Sequence, residues 1–146
     1  MEIIAQHRDS EGALLPILHA VQAEFGHVPE QVVPLLAEAL NLSRAEIHGV
    51  ISFYHDFREH PPGRHRLLLC RAEACQSVGG DGLAERARGR LGVGWGGTSS
   101  DGALSLEPVF CLGLCACAPA AMLDGEVIGR LDAARLDAII DEARAR

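Results

Sequence analysis

A chain of 146 residues is long enough to bury a core, and fits one ordinary domain or a small helical module joined to a compact α/β domain. Its composition, 48% hydrophobic and 23% charged, is that of a globular protein. A formal net charge of −7 and an aromatic content of 4% argue against a nucleic-acid surface, because no stretch interleaves Lys or Arg with base-stacking rings.

The N-terminal stretch MEIIAQHRDSEGALLP has no basic segment leading into an apolar one, so no secretory signal is visible. The longest near-apolar run, Val109 to Leu123, is too short to span a bilayer and contains three Cys and a Pro. These features predict a soluble, cytoplasmic protein. Five cysteines then need a role. The odd count and the rarity of disulfides in a reducing cytosol leave metal binding, catalysis or simple burial.

In chain order, the first half reads as helices. Leu14 to Phe25 places Leu14, Ile17, Leu18, Val21 and Phe25 on one face at helical spacing, with Gly26 as a stop. A second helix spans Pro29 to Leu40 with Val32, Val33, Leu36 and Leu40 as its stripe, broken at Asn41 and Leu42. Ser43 is an N-cap, and Glu46 three residues on completes a capping box for a third helix carrying Ile47, Val50, Ile51 and Tyr54. Pro61-Pro62-Gly63 ends this module. The predicted boundaries are therefore residues 1–62 for a helical module and 63–146 for a second domain.

The second half has another rhythm. Arg66 to Arg71 is a short apolar run suited to a buried strand, and Gln76 to Leu91 suits a helix with a loose, Gly-rich start. Val93 to Gly102 reads as loop. Ala103 to Cys111 suits a second strand, blemished by Pro108. Ala120 to Leu123 and Glu126 to Leu131 read as strands joined by an Asp124-Gly125 hairpin turn. Asp132 caps a last helix with Leu136, Ile139 and Ile140 as its stripe. The order β-α-β-β-β-α predicts a small α/β domain of thioredoxin type behind an N-terminal helical module.

The cysteines fall into two pairs. Cys70 ends the first strand and Cys75 follows as C-R-A-E-A-C; Cys111 ends the second and Cys115 follows as C-L-G-L-C. Neighbouring strands lie roughly 5 Å apart, so two such loops can face one small site. Four converging thiolates make a soft cage that selects Zn²⁺, Cu(I) or an iron–sulfur cluster over hard cations. Structural zinc commonly uses tight C-x₂₋₄-C knuckles, and these spacings lie at the loose edge of that range. A [2Fe–2S] rhomb, with each iron needing its own pair of thiolates, favours the wider gaps. Plant-type ferredoxins also open with C-x₄-C, but a C-x₂-C follows at once, which is missing here. Gly113 permits close backbone approach, and Arg71 is placed to add positive charge near an anionic cluster. Cys117 reads as a small buried hydrophobe; its rival role is to replace Cys115 as ligand.

Beyond the cysteines the signals are weak. The G-V-G-W-G-G run at Gly92–Gly97 lacks the spacing and context of a dinucleotide-binding turn and reads as a loop. Ser52 has no G-x-S-x-G around it, and His55, His60 and His65 are scattered without a metal-pair spacing. Phe53, Tyr54 and Phe57 read as packing between the modules or, alternatively, as a contact surface for a partner. No C-x₂-C of a thiol oxidoreductase occurs.

G-V-I-S-F-Y at Gly49–Tyr54, C-x₄-C at Cys70 and Cys75, F-C-L-G-L-C at Phe110–Cys115, and Ala118-Pro119 followed by strand–turn–strand resemble the small thioredoxin-like [2Fe–2S] subunits of complex I and its relatives, almost end to end. The resemblance implies that Cys70, Cys75, Cys111 and Cys115 are the four ligands of one [2Fe–2S] cluster. It also makes a cis Ala118–Pro119 bond possible. Within the family the closest likeness is to the gamma subunit of cytoplasmic NAD-dependent formate dehydrogenase, through S-F-Y-H-D-F at Ser52–Phe57, L-C-R-A-E-A-C-Q at Leu69–Gln76 and C-L-G-L-C-A-C-A-P-A-A-M at Cys111–Met122. That likeness implies an electron-transfer subunit with no activity alone. It would exchange single electrons with a flavoprotein partner that binds FMN and NAD, in a complex with a larger molybdenum or tungsten formate dehydrogenase subunit. The equivalent subunit of an NAD-reducing hydrogenase or of an NADH:quinone oxidoreductase is the alternative. A zinc-stabilised interaction module is the alternative of a different class.

Overall fold

The computed structural model describes residues 2–146. The chain divides into two compact units, Met1–Pro61 and Pro62–Arg146.

The first unit is helical. Helix α1 (Glu2–His7) carries no periodic signal in its six residues, and it is held by burial of Ile4. Helix α2 (Leu14–Phe25) has the expected ends, with Gly26 in the left-handed conformation at φ 75° donating its N–H to Gln22. Its inner face differs from the expected stripe. Phe25 at the last turn is 55% exposed, while Gln22 is buried. The Gln22 amide donates to the Asp56 carbonyl at 2.8 Å and accepts from the Arg58 N–H at 2.8 Å, so a polar side chain is satisfied inside. Helix α3 (Val32–Leu40) starts later than expected, because Glu30 and Gln31 form a turn after Pro29, and Asn41 at φ 53° ends it. Helix α4 (Arg44–Phe53) carries the capping box: the Glu46 N–H donates to the Ser43 hydroxyl and the Ser43 N–H to the Glu46 carboxylate. Ile17, Leu18, Leu36, Ile47 and Ile51 form the core. Phe57 joins it and packs against His19 with the rings tilted by 52° and their centres 4.9 Å apart, whereas Phe53 is 72% exposed.

The second unit is a four-stranded sheet in the order β2-β1-β3-β4, built from β1 (His65–Cys70), β2 (Leu104–Val109), β3 (Ala121–Leu123) and β4 (Glu126–Ile128). The first two run parallel, with Leu67 opposite Leu106 and Cys70 opposite Val109; the others are antiparallel. Pro108 is tolerated because β2 is an edge strand. Asp124 and Gly125 both take positive φ in the hairpin turn, as the Asp-Gly pair suggested. The expected single helix from Gln76 to Leu91 is two helices, α5 (Glu73–Ser77) and α6 (Gly80–Leu91), broken where Gly79 turns to φ 91°. Helix α7 (Ala133–Ala145) is capped by the Asp132 carboxylate, which accepts the Arg135 N–H at 2.8 Å. Alternate residues of β1 and β2, namely Leu67, Leu69, Leu104 and Leu106, face Ala84, Ala87, Leu136 and Ile140 of α6 and α7 in one core.

The two helices are also pinned by charge. Arg86 grips Asp137 through both carboxylate oxygens, at 2.5 and 2.9 Å, and Arg90 reaches the same carboxylate at 3.0 Å. The Arg86 hydrogen bonds hold the Asp137 carboxyl well below the usual carboxylate range, with Arg90 adding to the effect. A carboxylate whose folded pKa is lowered contributes stability above its unfolded pKa of about 3.9 and loses it as pH falls through the folded value. Asp137→Asn is therefore expected to lower the melting temperature at pH 7 by a gap that holds down to about pH 5 and narrows below about pH 4, read by calorimetry across that range.

Candidate metal centre

Two strand ends build the site. Because β1 and β2 are parallel and in register, their C-terminal ends lie side by side. The chain leaves β1 through Cys70 into α5, where Cys75 sits, and leaves β2 through Phe110 and Cys111 into a turn that reaches Cys115 at the start of a short 3₁₀ turn, Cys115–Cys117. Local backbone bonds shape each loop. The Cys75 and Gln76 N–H groups donate to the Ala72 carbonyl at 3.0 and 3.1 Å. Cys111 takes φ 94°, a conformation a non-glycine residue rarely adopts, and Gly113 takes φ 76°. The Gly113 N–H then points back at the Cys111 sulfur, at 3.3 Å.

The four expected thiols come together as two pairs. Cys70 and Cys75 are buried, and each shifts the titration of the other. Cys111 and Cys115 are exposed, with their sulfurs 3.8 Å apart. The pairs feel each other: charge on Cys70 acts on Cys115, and charge on Cys115 acts on Cys75. Burial pushes the Cys70 thiol up, but N–H groups of Ala72, Cys111 and Leu112, with the Cys75 thiol, outweigh it and leave Cys70 lowered. Donors from both loops thus aim at one sulfur. Burial pushes Cys75 up, and the neighbouring Cys70 adds to this against the Ala120 N–H. Cys115 is raised chiefly by Cys111. Ala120, Leu112, Leu114 and Val109 form an apolar collar with the buried pair.

This donor set fits a [2Fe–2S] cluster. Four sulfurs as metal-bound thiolates would be anionic together, and backbone N–H groups already face them. Two sulfurs of a tetrahedral site with metal–sulfur bonds of about 2.3 Å are separated by about 3.8 Å, which is the Cys111–Cys115 spacing. Among the described residues, no three or more His, Cys, Asp or Glu side chains are gathered around one point that would hold a single metal ion.

Other expectations meet different surroundings. Arg71 pairs with Asp81 at 3.0 Å, and its guanidinium lies 5.2 Å from the ring centre of Trp95. Cys117 is half-buried. His65 meets the Asp124 carboxylate at 2.6 Å beside the hairpin, and the Ser52 hydroxyl donates to the His48 carbonyl of its own helix. The Ala118–Pro119 bond is cis. The N–H donors of Ala72, Leu112 and Ala120 left no mark in the sequence, since any residue but proline supplies one.

A thioredoxin-like domain with paired thiols at two adjacent strand ends defines a class of small iron–sulfur proteins. The thioredoxin-like [2Fe–2S] ferredoxin family model matches residues 1–144, and the chain belongs to that family, whose cofactor is one [2Fe–2S] cluster. It is 37% identical over 141 residues to a subunit of NADH-quinone oxidoreductase from Rhizobium meliloti, covering 97% of this chain and 84% of that protein. It is 33% identical to an NADH-quinone oxidoreductase subunit from Mycobacterium tuberculosis, covering 99% of this chain and 57% of that protein. Among solved structures it resembles an NAD⁺-reducing [NiFe]-hydrogenase, with a TM-score of 0.72 and 30% identity, over 88% of this chain and 22% of that one. The chain thus spans about half of the mycobacterial relative and under a quarter of the hydrogenase chain. Among the described residues no helix is long and apolar enough to cross a membrane.

Exposure sets an order of thiol reactivity. In metal-free protein under native conditions, Cys111 and Cys115 are expected to alkylate before Cys70 and Cys75. In cluster-loaded protein all four are expected to be protected. Mass-spectrometric mapping after a short iodoacetamide pulse reads both patterns.

Proposed function

We propose that this chain is a [2Fe–2S] electron-transfer subunit of an NAD-linked oxidoreductase complex, with Cys70, Cys75, Cys111 and Cys115 as the cluster ligands. The observation that carries the reading is the meeting of two thiol pairs at adjacent strand ends, with backbone donors from both loops facing one sulfur. Cys117 lies outside the ligand set and fills space. The helical unit and the cluster unit are separate domains in this reading.

The names of the relatives support membership of a complex. They favour an NADH:quinone oxidoreductase or an NAD-reducing hydrogenase over the formate dehydrogenase to which the cysteine-loop motifs pointed. The formate assignment rests on those motifs alone. The family resemblance implies a flavoprotein partner binding FMN and NAD, and the chemistry suits it: nicotinamide exchanges two electrons at once, a cluster passes one, and a flavin bridges the two. The bound cluster supplies the one-electron step. The chain's own residues hold it, shield one pair of sulfurs in an apolar collar, and leave Cys111 and Cys115 at the surface, where a partner can approach. A cytoplasmic location belongs to the same proposal.

Anaerobically purified protein is expected to hold about two irons and two acid-labile sulfides per chain. Cys70→Ala and Cys111→Ala lose most of that iron, Cys117→Ala keeps it, and the isolated chain turns over no NADH. One zinc and no sulfide in protein from its native host contradicts the reading. So does iron lost from Cys117→Ala but kept in Cys115→Ala. Co-purification from that host identifies the catalytic subunit, and with it the distant substrate.

A further inference from the structure

Two glycines press against the backbone of the ligand loops, and neither is required by its own conformation. Gly80 opens α6, and a methyl group in place of its hydrogen would lie 2.6 Å from the Cys75 carbonyl oxygen and 2.9 Å from the Cys75 carbonyl carbon. Gly129 follows β4, and a methyl group there would lie 2.8 Å from the Cys117 Cβ and 3.0 Å from its carbonyl oxygen. The backbone at both positions lies outside the left-handed region, so alanine is excluded by space and not by φ. By contrast, an added methyl at Gly82 or Gly89, on the same helix as Gly80, meets nothing within 4 Å.

The contact at Gly129 is part of a clamp. The next residue, Arg130, donates its N–H to the Cys117 carbonyl at 2.5 Å, and Leu131 donates to the Pro119 carbonyl at 2.9 Å. The Arg135 guanidinium in turn donates to the Gly129 carbonyl at 3.1 Å. The clamped turn is the one that begins at Cys115, since the Ala118 N–H donates to the Cys115 carbonyl and the Cys117 N–H to the Leu114 carbonyl. A methyl at 129 must therefore displace the turn that carries Cys115, just as one at 80 must displace Cys75. Both neighbours are backbone or Cβ atoms, which cannot swing aside as a flexible side chain would.

The geometry points to Gly80 and Gly129 as positioning residues for the cluster, each bracing one ligand loop by close backbone approach. It also points to Cys117 as the small side chain against which Gly129 closes. This rests on the ligand set proposed above. Groups that orient metal ligands typically change metal retention about 10- to 100-fold when altered.

The experiment uses the full chain, loaded with its cluster, in six forms: wild type, Gly80→Ala, Gly129→Ala, Gly89→Ala, Cys117→Gly, and Gly129→Ala combined with Cys117→Gly. Two readouts are taken, the rate of iron loss to a chelator and the EPR line positions of the reduced protein. Gly80→Ala and Gly129→Ala are expected to lose iron about tenfold faster and to shift the EPR lines, whereas Gly89→Ala does neither. Removing the Cys117 side chain in the double variant is expected to return both readouts toward wild type. If Gly129→Ala alone fails to fold, cluster retention in the double variant is the supporting result, and its absence there overturns the proposal. It is equally overturned if Gly80→Ala and Gly129→Ala match Gly89→Ala in both readouts. Failure of the ligand set itself is seen separately, as loss of iron from Cys117→Gly alone.

Discussion

The parallel, in-register pairing of β1 with β2 is the constraint on which the cysteine site depends. Parallel strands leave a sheet at the same end, so the loops that follow them are neighbours; antiparallel strands would send those loops to opposite ends. Cys70 opposite Val109 puts the exits of both strands level, within one strand spacing. Each loop then needs only a few residues to bring its second thiol back. The apolar layer beneath, from Leu67, Leu69, Leu104 and Leu106 against α6 and α7, holds that register, because a slip by one residue would turn these leucines outward.

Above that layer the site is polarised. Cys70 and Cys75 are buried within an apolar collar, and Cys111 and Cys115 are exposed. Burial disfavours thiolates, and the backbone N–H groups of Ala72, Cys111 and Leu112 offset this at Cys70. The unusual φ of 94° at Cys111 belongs to the same design. It lets the second loop present N–H groups inward to Cys70 while its own sulfur stays beside Cys115. The strand exits on which the loops stand are tied by the bond from Arg71 N–H to the Val109 carbonyl and that from Cys70 N–H to the Ala120 carbonyl.

Much of this was legible from residue types. The capping box at Ser43 and Glu46, the Asp124-Gly125 turn, the Asp132 cap and Cys70 at the end of β1 each follow from a local rule, whereas β2 stops at Val109 and Cys111 lies in the loop beyond it. The features that were not legible depend on space or on backbone. Helix α1 is too short for periodicity. Gln22 reads as a surface residue until its backbone partners at Asp56 and Arg58, more than thirty positions away, are in place. Phe25 completes an apolar stripe on paper but falls on the last turn, where the core no longer covers it. The break between α5 and α6 hung on which of the neighbouring glycines took positive φ. Arg71, adjacent to a cysteine in sequence, turns to Asp81 and Trp95 because an acidic side chain and a ring are within its reach. The likeness to formate dehydrogenase rests on short segments, while similarity over nearly the whole chain is to NADH-quinone oxidoreductase and hydrogenase relatives.

X-ray absorption at the iron edge, on the intact cluster-loaded chain, tests the four-thiolate cage most directly. Four cysteine ligands and bridging sulfides predict iron whose nearest neighbours are sulfur alone, with a second iron close by. A nitrogen or oxygen neighbour in place of sulfur, or a zinc edge with no iron, would contradict the assignment of Cys70, Cys75, Cys111 and Cys115.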